Sequence, residues 1–233
     1  MLARNENITR EEADHWALQS HKKAIAAQDS GKFADEIVAV PVHGKKGADL
    51  IFDTDEGPRR DASMEKLARL RTVYEDGVCT AGNSSSENDG AAAVVLASEK
   101  MAEKLGVEPM ASFISCGIAA TDPTLTYPAV PAAVDKALKK AGISIEQVGL
   151  IEIQEAFAVQ ALADAKMTGI GDEEMVTKVN VNGSGISLGH PIGATGTMRL
   201  ATLLHEMKRR NVRYGLETIC GGGGQGICMI VEK

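Results

Sequence analysis

A chain of 233 residues, 44% hydrophobic and 24% charged, is long enough for one large core or two smaller ones and too ordinary in composition for a disordered protein. Its net charge of -7 argues against a broad nucleic-acid footprint, and the basic pairs Lys45-Lys46 and Arg59-Arg60 offer at most a local phosphate contact. No run of about 18 apolar residues is present, and the first 30 residues are charged and helix-like. The expectation is a cytoplasmic protein with no membrane partner.

Thr9-Arg10-Glu11-Glu12 reads as a capping box, with Thr9 three residues before Glu12. It predicts a helix ending near Ser30-Gly31, whose stripe of Ala13, Trp16, Ala17, Ala24 and Ala27 is a core face with Ser20 among it. Residues 36–43 alternate toward a strand, and 44–58 form a polar, exposed loop or hairpin. From Thr80 the composition turns to Gly, Ala and Ser, and the apolar run 91–97 predicts a buried strand. Beyond it, strands over 114–116, 148–153, 179–181, 215–220 and 227–231 alternate with helices over 130–141, 155–167 and about 193–210. Such alternation predicts a layered α/β domain with helices covering a buried sheet.

Three loops at strand ends stand out, because ligands of α/β sheets bind beyond the carboxyl ends of strands. They are Gln154-Glu155-Ala156-Phe157, residues 182–196, and Cys220 to Gly226. His190 lies between glycines just before a helix, where an imidazole of ordinary pKa, about 6.5, can exchange a proton near neutral pH. Cys220 reads either as a thiol acid/base or as a small buried hydrophobe. Four glycines after it expose backbone N–H groups to an oxyanion, and the absence of a Lys-Ser/Thr pair excludes a nucleotide P-loop. The four cysteines, Cys79, Cys116, Cys220 and Cys228, show neither zinc spacing nor disulfide-scaffold density, so reduced thiols and no metal site are expected.

Taken together, Thr80-Ala81-Gly82-Asn83 through Asn88-Asp89-Gly90-Ala91-Ala92, Gln154-Glu155-Ala156-Phe157-Ala158, Gly189-His190-Pro191-Ile192-Gly193-Ala194 and Cys220 to Gly226 resemble the thiolases, the acyl-CoA acetyltransferases. A looser match lies upstream at Arg10-Glu11-Glu12 and Ser20-His21-Lys22. The resemblance implies a layered α-β-α-β-α architecture with one complete carboxy-terminal half-domain plus a loop domain. Residues 1–87 would be the CoA-covering loop domain, 88–109 a segment completing a partner's amino-terminal domain, and 110–233 the carboxy-terminal domain.

By the same resemblance, His190 activates a nucleophile and binds the thioester oxygen, Cys220 shuttles a proton at the acetyl carbon, and the Gly222 N–H contributes to an oxyanion hole. Gln154 matches the position of an asparagine that holds a catalytic water, one methylene shorter than the glutamine here. Arg59 matches a contact to the nucleotide end of CoA and Ser85 one near the pantetheine, although both also suit a solvated loop or turn. Ser184 stands for a usual glycine, and Tyr127-Pro128-Ala129 replaces a Gly-rich segment near the acyl pocket. Coenzyme A or acyl-CoA is implied as substrate, with no permanently bound cofactor.

None of the four cysteines has the sequence context of the family's nucleophile, and the match begins inside the loop domain near Met1. The implied protein is the acid/base and CoA-binding subunit of a split thiolase, inactive without a separate amino-terminal polypeptide that carries the nucleophilic cysteine in a hetero-oligomer. The alternatives are a non-catalytic acyl-CoA-binding or scaffold subunit of a larger complex, and a truncated chain.

Overall fold

In the computed structural model, which describes residues 1–44, 47, 49–124 and 129–233, the capping box at Thr9 is formed in full. Thr9 Oγ1 accepts from the Glu12 N–H at 3.1 Å and Glu12 Oε2 accepts from the Thr9 N–H at 2.6 Å. After a short helix α1 (Leu2–Asn5), this cap starts helix α2 (Arg10–Asp29). Its alanine stripe is buried as expected, with Ala13 and Ala17 against Ala158, Val159, Ala163 and Ile186. Strands β1 (Val40–His43) and β2 (Asp49–Phe52) form the anticipated antiparallel hairpin, followed by helix α3 (Met64–Ala68). Lys45-Lys46 and Tyr127-Pro128 lie outside the described residues.

The remaining elements are α4 (Glu99–Leu105), β3 (Ser112–Ala120), α5 (Ala129–Ala141), β4 (Leu150–Ile153), α6 (Ala158–Met167), α7 (Asp172–Thr177), α8 (Gly185–Leu188), α9 (Thr195–Arg210), β5 (Tyr214–Gly221) and β6 (Gln225–Glu232). One mixed sheet runs β3-β6-β5-β4, with β6 antiparallel to both neighbours and β4 parallel to β5. The segment expected as a strand at 179–181 reduces to a parallel bridge from Val179 to Ile151.

Alternation along the strands separates two faces. On one, α5 and α6 bury Val130, Val134, Ala161 and Ala165 against Ile151, Ile153, Leu216 and Ile230. The α5 backbone comes so close that a Cβ at Gly117 would lie 1.8 Å from the Ala133 carbonyl oxygen. On the other, α9 packs Leu203 and Met207 onto Leu150, and a Cβ at Gly215 would meet Met207 Sδ at 2.3 Å. Each such fully buried aliphatic side chain contributes about 2 kcal/mol by leaving water. The layered α/β class is therefore present as anticipated.

A second expectation fails. Residues 91–97 form no strand; Val95 is 96% exposed and Leu96 85%. The run is apolar because it is built for burial, but no strand among the described residues pairs with it. The face of β3 and β6 away from α5 is also bare, with the register partners Ile118 and Ile227 exposed together with Phe113. No helix among the described residues is long and apolar enough to cross a membrane.

The loop after β4 is anchored by Glu155, which is 1% exposed. Its Oε1 accepts from Trp16 Nε1 (3.0 Å) and Asn180 Nδ2 (2.9 Å), and its Oε2 from Ser20 Oγ (2.7 Å) and the Ile186 N–H (3.2 Å). Four donors from three segments match the acceptor capacity of a carboxylate. Glu155→Ala, which strands all four, is expected to destabilise the chain by about 3 kcal/mol or more, and Glu155→Gln by less. Urea unfolding of the two variants against wild type checks the order; equal, small shifts would contradict this role.

Candidate active site

The three loops singled out in the sequence converge at one end of the sheet. The Gln154 N–H donates to the Thr218 carbonyl at 3.0 Å, which places Gln154 beside the end of β5, two residues before Cys220. The Gln154 side chain lies against Gly185, at the start of the segment leading to His190. Segment 84–88 closes over both loops: the Ser85 N–H donates to the Ala156 carbonyl at 3.0 Å, and Asn88 Oδ1 accepts from the His190 N–H at 3.2 Å.

His190 is half-buried and its Nδ1 lies 2.7 Å from Thr195 Oγ1, which itself donates to the Pro191 carbonyl at 2.9 Å. A carbonyl only accepts, so with the hydroxyl proton on Pro191 the ring donates to Oγ1 from Nδ1–H. Nε2 is left with its lone pair, the arrangement of a base. Burial, and then the nearby Arg199 cation, lower the pKa of His190, so the ring is neutral at physiological pH. Thr195 was not singled out in the sequence; its signal is a hydroxyl on the first turn of the helix after the histidine.

Cys220, half-buried at the end of β5, packs against the core under α5 and α6. Burial, with the Asp164 carboxyl adding to it, pushes the thiol up to about 11. At neutral pH it is a proton donor and not a thiolate. Of the glycines that follow, Gly223 and Gly224 take positive φ in the turn, and a Cβ at Gly226 would meet the Ala129 backbone at 2.5 Å. Gly222 is exposed and a Cβ there would meet nothing within 4 Å. Neither turn nor packing demands a glycine at 222, whereas close approach of a ligand would.

Arg59 is exposed at the end of a loop that leans on the His190 segment, since a Cβ at Gly57 would lie 2.4 Å from the Ser187 carbonyl oxygen. Its backbone N–H donates to Nδ1 of the buried His21 at 3.2 Å. Burial, helped by Arg59, lowers the pKa of His21 and keeps this acceptor unprotonated. Arg60 pairs with Asp29, whereas the Arg59 guanidinium forms no ion pair among the described residues. No group of three or more His, Cys, Asp or Glu suited to a metal ion occurs among them either.

Behind His190 lies a buried charge cluster that the sequence did not reveal. Glu152 of β4 and Glu217 of β5 are register partners facing Arg199 of α9, with Glu36 and Asp55 within its electrostatic reach. Glu152 Oε2, Glu217 Oε1, and Nε and Nη1 of Arg199 find no hydrogen-bond partner among the described residues. Burial outweighs the pull of Arg199, raising Glu152 to about 8 and Glu217 to about 7; Glu36 also rises to about 7.

Two family models match the chain: "Thiolase, N-terminal domain" over residues 1–100 and "Thiolase, C-terminal domain" over 107–233. The chain belongs to the thiolase family. An acetyl-CoA acetyltransferase of Chromobacterium violaceum is 48% identical over all of this chain and 58% of its own length. A beta-ketothiolase of Cupriavidus necator is 46% identical, over 100% of this chain and 58% of that protein. The crystal structure of the Bacillus anthracis acetyl-CoA acetyltransferase superimposes with a TM-score of 0.94 at 43% identity, covering 99% of this chain and 58% of that one. Human mitochondrial 3-ketoacyl-CoA thiolase gives a TM-score of 0.91 at 39% identity, over 100% and 58% of the two chains. This thiolase chain thus spans somewhat over half the length of the relatives it matches.

Two measurements test the site. The buried carboxyls hold their protons to higher pH when folded than when unfolded, where ordinary carboxyls ionise near 4.5, so stability is expected to fall as pH rises from about 5 to 8. Glu217→Gln should flatten that slope in unfolding titrations at several pH values; an unchanged slope would exclude Glu217 from it. Separately, nitrogen NMR of the histidine-labelled chain, assigned with His190→Gln, should show His190 as the Nδ1–H tautomer. Thr195→Val should shift it toward Nε2–H and Thr195→Ser should not; a tautomer indifferent to both would remove Thr195 from this role.

Proposed function

We propose that this chain supplies the acid/base and CoA-covering part of a thiolase site, for reversible Claisen condensation of an acyl-CoA with acetyl-CoA or thiolysis of a 3-ketoacyl-CoA. The observation that carries the reading is the pairing of a neutral His190 with a free Nε2 and a protonated Cys220 on adjoining loops of one sheet end. A thioester exchange needs a base to activate a thiol and an acid/base to move a proton at the acetyl carbon. His190 takes the first role and Cys220 the second. The Gln154 amide holds a catalytic water in one oxyanion hole for a thioester oxygen and the Gly222 N–H contributes to the other, while Arg59 and Ser85 hold the nucleotide and pantetheine ends of coenzyme A.

In this reading residues 1–87 are the CoA-covering loop domain, 88–109 complete an amino-terminal domain, and 110–233 form the carboxy-terminal domain. The acyl-accepting cysteine comes from outside these residues, on a separate amino-terminal thiolase polypeptide. The support is physical. The bare run with Val95 and Leu96, and the uncovered Ile118-Ile227 face, are two strand-like apolar surfaces of the kind that is covered in a working assembly.

Purified alone, the chain is expected to show no CoA-dependent cleavage of acetoacetyl-CoA, and together with a polypeptide holding the amino-terminal thiolase region to show turnover. In that assembly Cys220→Ala should cost about a thousandfold in kcat, the scale of a lost acid/base group. Equal activity of the chain without any partner would overturn the proposal. Full activity of the Cys220→Ala assembly would favour a binding or scaffold subunit.

A further inference from the structure

Gln154 is 2% exposed, yet neither Nε2 nor Oε1 of its amide finds a hydrogen-bond partner among the described residues. Leaving both ends of a buried amide unmatched is costly unless something else meets them, so its position is fixed by packing and not by protein hydrogen bonds. The packing is against Gly185. A Cβ built there would lie 2.4 Å from Nε2 and 3.0 Å from both Cδ and Oε1 of Gln154, and from no other residue's atoms among its three nearest.

Backbone conformation does not explain this glycine. Gly183 and Gly189, its neighbours in the same segment, have φ of 80° and 87° and need glycine for that reason; Gly185 is not among the positive-φ residues and begins the α8 turn. An alanine would suit that backbone, and the three nearest atoms its methyl group would meet all belong to the Gln154 amide. Ser184 and Ser187 on either side are buried and carry side chains, so the segment is not generally intolerant of them.

We propose that Gly185 is a positioning residue for Gln154: the volume left by its missing side chain is where the longer glutamine amide sits, and the two residues form a size-matched pair that sets the amide's place in the active site. Shortening the side chain at 154 and adding a methyl group at 185 are then compensating changes. The catalytic part of this inference rests on the thioester-binding role proposed for Gln154, and the packing part does not.

The test is a double-mutant cycle of Gln154→Asn and Gly185→Ala, reading thermal midpoint on the purified chain and kcat and KM for acetoacetyl-CoA thiolysis in the complete assembly. Gly185→Ala alone should lower the midpoint by several degrees and kcat by tenfold or more with little change in KM. The double variant should recover most of both losses. If Gly185→Ala proves insoluble alone but soluble when combined with Gln154→Asn, that rescue is itself the expected coupling. Gly185→Ala equally harmful, or equally harmless, in the wild-type and Gln154→Asn backgrounds would overturn the pairing. Coupling in the midpoint with none in kcat would overturn the positioning of the amide for reaction. Gln154→Ala, assayed in parallel, tests the thioester-binding role separately: unimpaired turnover there would sink that role and leave the packing result to stand on the midpoint alone.

Discussion

Glu155 accepts Trp16 Nε1, Ser20 Oγ, Asn180 Nδ2 and the Ile186 N–H while almost wholly withdrawn from water. Burying a carboxylate is costly, and only a full set of donors offsets it. The set comes from α2, from the end of the 179 bridge and from α8, so this one group cannot be satisfied unless all three stand in place around the loop after β4. Gln154, its immediate neighbour in the chain, inherits that fixed position. So does His190, since Ile186 lies four residues before it on the same segment. Asn180 holds a positive φ of 46°, and it ties the loop further by donating to the Ile153 carbonyl and accepting from the Ile153 N–H. A site built on loops gains in this way the precision usually expected of strands and helices.

Beneath that rigid layer the electrostatics run differently. Glu206 is buried on α9, but hydrogen bonds from Asn182, Arg209, Arg210 and Lys32 overcome the effect of burial and hold it down at about 2. Glu152 and Glu217 lie deeper and feel the pull of Arg199 without such a set of donors, neighbouring carboxyls push Glu152 further up, and burial wins. The contrast shows that direct donors, not a nearby charge alone, keep a buried carboxylate ionised. It also serves the histidine. A cation near His190 that is not fully quenched by ionised carboxylates disfavours the imidazolium, and so keeps the ring available as a base.

Much of the architecture was legible in the sequence because it depends on short-range rules. The Thr9 capping box, the alanine stripe of α2, the hairpin around residue 44 and the strand–helix alternation after 129 each follow from local spacing. The run 91–97 misled for a physical reason: apolarity records that a segment is meant to be buried, not what buries it, and no covering surface is found among the described residues. The candidate site was half legible. His190, Cys220 and the glycine loop announce themselves by residue type, whereas Thr195, Arg199 and Glu217 acquire meaning only when α9 is laid along β4 and β5. Gly185 is more hidden still, because a glycine among glycines gives no sign that the side chain it accommodates lies thirty-one positions earlier.

The two titratable groups also define what the site lacks. A thiol held at about 11 gives up its proton too reluctantly to attack a thioester at neutral pH, but it returns one readily to a carbanion or enolate. Cys79 and Cys228 are likewise pushed upward by burial, and Cys228 lies deep in the core beneath α5. His190, neutral with Nε2 open, has the opposite need: it requires a thiol close by whose proton it can take. In the reading proposed for this chain, base and acid stand on this sheet end, and the thiol between them comes from outside the described residues. The bare segment at 91–97 follows closely on Asn88, whose side chain holds the His190 backbone, so a surface that covered that segment would be tied through a few residues of chain to the His190 loop.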